Sequence, residues 1–123
     1  MKNYGKELIL DIHNCQVNKF TRRQIRIYCY ELCKLIDMKR GTLHFWDYKG
    51  YPIEYKKAPP HLKGISAVQF IKTSNITIHS LDDMKRVYIN IFSCKPFNSL
   101  KAASFTKKYF KGTIINKLII ERM

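Results

Sequence analysis

Gly64-Ile65-Ser66-Ala67-Val68-Gln69-Phe70-Ile71-Lys72-Thr73-Ser74-Asn75-Ile76-Thr77-Ile78-His79, followed after a polar break by Arg86-Val87-Tyr88-Ile89-Asn90-Ile91-Phe92, decides the fold. Ile65–Thr73 carries β-branched and aromatic residues and reads as a strand, with Ile76–His79 a short second one. In Arg86–Phe92, Val87, Ile89 and Ile91 alternate with Tyr88, Asn90 and Phe92. That period of two marks a strand with one buried face. Towards the N-terminus, Lys49–Lys63 contains Gly50, Pro52, Pro59 and Pro60 and reads as a long loop, a candidate lid. Gly41–Tyr48 reads as another strand. Before it, Thr21-Arg22-Arg23-Gln24 has the form of a capping box. Ile25, Tyr28, Cys29, Leu32 and Ile36 then recur at helical spacing, which predicts an amphipathic helix over Thr21–Asp37. Lys6–Ile12 is the first strand, joined to that helix by the polar stretch Asn14–Phe20. Towards the C-terminus, Asn98 or Ser99 caps a second helix running to Lys111, Gly112 stops it, and Thr113–Ile120 is the last strand. This order predicts an α+β fold: a two-layer sandwich with a mostly antiparallel sheet and two helices on one face.

The 123 residues, 46% of them hydrophobic, suit one domain spanning 1–123 and rule out a disordered chain. No apolar run approaches the roughly 20 residues that cross a bilayer, and the opening residues do not read as a signal peptide. Cys15, Cys29, Cys33 and Cys94 form no CxxC pair and have no His at zinc spacing, so no metal site is expected. Cys29 and Cys33 lie one helical turn apart, as on a buried helix face. A reduced, cytoplasmic protein is the expectation. The net charge of +14 comes from Lys and Arg spread along the chain. Without a dense basic block or a nucleic-acid motif, it reads as a solvated basic surface rather than a nucleic-acid site.

Within Gly64–His79 and on to Phe92-Ser93-Cys94, the chain resembles the prokaryotic-type S-adenosylmethionine decarboxylase proenzymes, which are pyruvoyl-dependent. Their core reads G-x-S, then E-S-H-x-S/T-I-H-T-x-P-E, then a run ending in F-T-C. Here Ser66, Ser74, His79 and Cys94 stand in that register, and Gly5-Lys6-Glu7-Leu8-Ile9-Leu10-Asp11 resembles the family's first strand. The resemblance implies self-cleavage between Thr73 and Ser74, giving a β chain of 1–73 and an α chain of 74–123. By the same resemblance, the Ser74 hydroxyl attacks the Thr73 carbonyl and elimination follows. Ser74 is left as a pyruvoyl group that forms a Schiff base with the substrate amine and takes up electrons as carbon dioxide leaves. His79 is implied as the base of the elimination, Ser66 as the group that holds the ester, and Cys94 as the acid that protonates the product carbon. The implied substrate is S-adenosylmethionine, whose decarboxylated product is the aminopropyl donor for spermidine biosynthesis. The implied assembly is a homodimer.

The sequence departs from the family pattern at four places. Thr73 stands for the usual Glu and Asn75 for the usual His. Ser80-Leu81-Asp82-Asp83 stands for T-x-P-E, and the loop before Gly64 is longer. Asp83 takes the place of the family's ribose-binding Glu, and Leu81 the place often held by an adenine-stacking Trp. Phe45, Trp46 and Tyr48 are the aromatic candidates for that stack. Three functions therefore stay open on sequence: S-adenosylmethionine decarboxylase, a pyruvoyl decarboxylase of ornithine or arginine, and an unprocessed regulatory or binding relative.

Overall fold

The structure, a computed structural model, describes residues 3–123. Six strands, β1 (Gly5–His13), β2 (Arg40–Trp46), β3 (Gly64–Ile71), β4 (Ser74–Leu81), β5 (Arg86–Ser93) and β6 (Thr113–Arg122), form one sheet in the order β2-β3-β4-β5-β1-β6. Every neighbouring pair is antiparallel. Two helices, α1 (Arg22–Leu35) and α3 (Ser99–Phe110), cover one face, and a short helix α2 (Pro52–Lys57) lies in the β2–β3 connection. The expected α+β two-layer sandwich is the fold.

Alternation decides what lies inside. Leu8, Leu10 and Ile12 of β1, Ile76 and Ile78 of β4, and Val87, Ile89 and Ile91 of β5 are fully buried. They pack against Ile25, Tyr28, Cys29 and Leu32 of α1 and Phe110 of α3. Each such side chain contributes about 1.5–3 kcal/mol by leaving water. Between the helices, Tyr28 Oη and Thr106 Oγ1 lie 2.7 Å apart, satisfying two polar atoms inside the apolar layer. Burial raises the Tyr28 pKa far above its ordinary value, so its ring stays neutral.

The caps show how local rules were applied. Thr21 Oγ1 accepts from the Gln24 amide at 3.1 Å, as the box predicts. The Gln24 side chain turns to α3, where its Oε1 accepts from Tyr109 Oη at 2.7 Å. Asn98, rather than Ser99, caps α3 by accepting from the Lys101 amide at 3.0 Å. Lys111, not Gly112, takes the left-handed position that ends this helix, with φ of 53°. Gly112 is needed for a different reason: a Cβ there would come 2.6 Å from the His13 carbonyl oxygen.

Three boundaries differ from the sequence reading. The loop Lys49–Lys63 contains α2, started by Pro52 in its first turn, and a 3-10 turn at Pro60–Leu62. The connection Asn14–Phe20 contains a 3-10 turn at Val17–Lys19. β3 ends at Ile71 and β4 begins at Ser74, with Ile71 paired to Ser74, so the strands join through Lys72-Thr73 alone. Thr73 thus lies in a tight turn rather than in a strand.

The second face of the sheet is uncovered. Cross-strand pairing lines up Trp46, Ser66, His79, Tyr88, Asp11 and Asn116 in one row across it. Phe70, Asn75, Phe92, Glu7 and Ile120 form a parallel row towards the Thr73 turn. Trp46 is 85% exposed, and Phe70 and Leu118 are about half exposed, so this face carries apolar side chains without cover.

Candidate active site

The β3–β4 hairpin carries three of the four predicted reactive residues, Ser66, Ser74 and His79, and divides them between its two ends, while Cys94 reaches the turn end from β5. Ser74 opens β4 on the helix-covered side, in alternation with Ile76 and Ile78, and is 6% exposed. Its Oγ accepts the Cys94 amide at 3.0 Å and lies 3.6 Å from Cys94 Sγ. Cys94 follows β5, where alternation places it with Asn90 and Phe92 towards the open face. Thr73 Oγ1 lies 3.0 Å from Cys94 Sγ and donates to the Lys72 carbonyl at 2.8 Å. These hydrogen bonds, first from Thr73 and then from Ser74, lower the Cys94 pKa below that of an ordinary thiol. Cys94 is a stronger acid than Cys15, Cys29 or Cys33, which burial pushes up to about 11, 12 and 11. A cavity of about 400 Å³ adjoins this cluster, bounded by Met38, Ile71, Thr73, Ser74, Cys94 and Lys95.

Thr73 has φ of 51°, in the left-handed region. A branched Cβ is crowded there, and such a conformation costs on the order of 1–3 kcal/mol. The peptide bond between Thr73 and Ser74 is therefore held in a strained turn.

Ser66 and His79 pair directly across β3 and β4, with Ser66 Oγ and His79 Nδ1 2.8 Å apart. Both face the open side of the sheet, His79 exposed. Gly64 lets the strands close here: a Cβ on it would fall 1.6 Å from the Ser80 carbonyl oxygen. Ser66 and His79 line a cavity of about 520 Å³ with Trp46, Tyr48, His61, Leu81 and Tyr88. This cavity has aromatic walls and a hydroxyl–imidazole pair at its floor, as a flat, partly apolar ligand requires.

One chain does not unite the two clusters. Ser74 and His79 are five positions apart along β4, about 17 Å at the rise of a strand, and their side chains leave opposite faces. The grouping expected from sequence holds for Ser74 with Cys94 and for Ser66 with His79, but not for the four together. Among the predicted substrate residues, Trp46 and Leu81 border the Ser66–His79 cavity. Asp83 does not. It is exposed and lies 3.4 Å from Lys63 Nζ. Its neighbour Asp82 receives the Tyr55 hydroxyl, and burial raises its pKa. Phe45 faces the helix layer beneath Arg22 and Arg26, which leaves Trp46 and Tyr48 as the aromatic candidates from β2 and its end. Tyr88 was missed, although its alternation with Asn90 and Phe92 already placed it on the face of His79.

A family profile for S-adenosylmethionine decarboxylase matches residues 6–123. No curated protein sequence matches the chain. Among solved structures, the adenosylmethionine decarboxylase from Aquifex aeolicus VF5 superposes with a TM-score of 0.78 at 17% identity, over 99% of this chain and 92% of that one. At that identity the structural likeness speaks to the fold alone.

Proposed function

The chain belongs to the S-adenosylmethionine decarboxylase family, and we propose that it is a self-processing member that cuts itself between Thr73 and Ser74. The observation that carries this reading is the turn itself. Thr73, in the left-handed region, is followed by Ser74, whose hydroxyl accepts the Cys94 amide beside the Cys94 thiol. In the first step, a bond forms between Ser74 Oγ and the Thr73 carbonyl carbon, the Thr73–Ser74 peptide bond breaks, and the hydroxyl proton passes to the Ser74 nitrogen. Removal of the Ser74 Cα proton then expels Thr73 as a carboxylate at the end of 1–73. Hydrolysis of the remaining dehydroalanine releases ammonia and leaves the pyruvoyl group at residue 74. Ser74, Thr73 and Cys94 around their cavity fit that group. Once formed, it supplies the electron sink for loss of carbon dioxide from an α-amino acid. Cys94 Sγ, 3.6 Å from Ser74 Oγ, is the proton donor to the product carbon.

His79 is the base of the elimination and Ser66 its hydroxyl partner, which requires a second copy of the chain. With about 17 Å between His79 and Ser74 in one chain, a homodimer through the open face would bring one copy's Ser66–His79 pair to the other's Thr73–Ser74 turn. The exposed Phe70, Leu118 and Trp46 give such a dimer apolar surface to bury. The substrate would then lie between Trp46, Tyr48, Tyr88 and Leu81 of one copy and the turn of the other. S-adenosylmethionine is the substrate that this aromatic cavity fits, its adenine stacked on Trp46 or Tyr88. Its decarboxylated product is the aminopropyl donor for spermidine. Four free cysteines, three of them buried, suit a reduced cytoplasmic setting.

Mass spectrometry of the purified protein tests the reading directly. It should find 1–73 ending at Thr73, and 74–123 carrying pyruvoyl in place of Ser74. Full-length chain alone after prolonged incubation rules it out. Carbon dioxide release from S-adenosylmethionine, ornithine and arginine, each supplied to cleaved protein, then identifies the substrate.

A further inference from the structure

Five residues other than glycine have a positive φ among the described residues: Asn14, Asp37, Thr73, Lys85 and Lys111. Asn and Asp tolerate that region, and Lys is unbranched at Cβ. Thr73 is the β-branched one, and it is also the residue whose carbonyl is to be attacked. The surroundings give it no other choice. Ile71 and Ser74 pair across a two-residue connection, and a positive φ at its second position is the turn geometry that ordinarily selects Gly or Asn. Behind the turn, β4 is paired on both edges, with Asn75 opposite Phe70 on one side and Phe92 on the other. The Thr73 hydroxyl is tied to the Lys72 carbonyl, and the Cys94 thiol closes over it.

We propose that the left-handed backbone at Thr73 is the strain that drives the first step of self-cleavage. The inference rests on the self-cleavage proposed above and assigns its driving force. When the acyl group moves from the Ser74 nitrogen to Ser74 Oγ, the chain path from Thr73 to Ser74 Cα gains the Cβ and Oγ atoms in place of one nitrogen. The two-residue turn lengthens, and Thr73 can leave the left-handed region. Strain held in the uncut chain is thus relieved along the reaction itself. Thr73 is a positioning residue that acts in this step through its backbone conformation.

The test is a chase of freshly translated chain, together with melting of chains that carry Ser74→Ala and cannot cut. Thr73→Gly, which accepts a positive φ without strain, should slow cutting by about tenfold. Thr73→Asn, which also tolerates a positive φ, should slow cutting as well. In the Ser74→Ala background, Thr73→Gly should melt higher than Thr73, so that one substitution stabilises the fold and slows the reaction. A merely structural role would not give these opposite signs. Cutting of Thr73→Gly at the parent rate overturns the inference, as does a Thr73→Asn chain that cuts at the parent rate, or a lower melting point for Thr73→Gly. A parent chain that never cuts sinks the self-cleavage reading and takes this inference with it. A parent that cuts while Thr73→Gly matches it sinks this inference alone.

Discussion

The two ends of the β3–β4 hairpin differ in kind. The turn end is tight and polar: Thr73, Ser74 and Cys94 lie within about 3–4 Å of one another, and Ser74 is nearly buried. The open end is broad and aromatic, with Ser66 and His79 beneath Trp46, Tyr48 and Tyr88. The first arrangement is suited to making and breaking one bond, the second to moving a proton and recognising a flat ligand. An antiparallel ladder explains the separation. Ser66 must pair with His79 because Ile71 pairs with Ser74, and that register fixes the distance between the two ends.

The largest effects should come from separating the ends genetically. Ser74→Ala should abolish cutting, because no hydroxyl remains to attack, and His79→Ala should slow it severely. If the ends meet only between two copies, coexpression of the two variants should restore cutting of the His79→Ala chain. The observable is its 74–123 fragment by mass spectrometry. No fragment from the mixed population would confine the reaction to one chain and break the comparison. Cys94→Ala should still cut, but turnover should fall on the order of 10²- to 10⁴-fold, the usual contribution of a positioned acid. Normal turnover of that variant would remove the thiol from the reaction.

Smaller effects sharpen the contrast. Trp46→Ala should leave cutting of the chain intact and weaken S-adenosylmethionine binding by about 1–3 kcal/mol, the value of one base stack. Comparing KM with cutting rate separates recognition at the open end from chemistry at the turn. The mildest probe is alkylation of the His79→Ala chain, which keeps Ser74 beside Cys94, with iodoacetamide against pH. The fold stabilises the Cys94 thiolate, so its reactivity should rise at a lower pH than the ordinary thiol value of 9.0. The same depression means that Cys94 favours folding above its unfolded pKa, and that this contribution fades as pH falls through the folded value. Cys15, Cys29 and Cys33, with values of about 11–12, should stay unmodified across that range. Cys94 alkylation that follows an ordinary thiol curve would contradict the hydrogen bonding at the turn.

The sequence by itself determined the layers. Alternation in Arg86–Phe92 and the apolar stripe of α1 each have a single period, and the core of Ile89, Ile91, Ile25 and Leu32 follows from it. Thr21 and Asn98 were legible as caps because a cap is a local hydrogen bond, made within three residues. The reactive residues were legible as types in a register, since Ser66, Ser74, His79 and Cys94 carry the chemistry that the family resemblance implies. Their positions in space were decided only by the tertiary structure. Whether Thr73 belongs to a strand or to a turn depends on where β3 pairs with β4, and no local pattern marked that boundary. Asp83, placed at the ribose by the family resemblance, lies outside the Ser66–His79 cavity of one chain and 3.4 Å from Lys63 Nζ. Tyr88 joined Ser66 and His79 through the register of β5 against β4. Local hydrogen bonds and periodicity act over a few residues and can be read along the chain. A site built across paired strands depends on register, a long-range property that exists only once the sheet has formed.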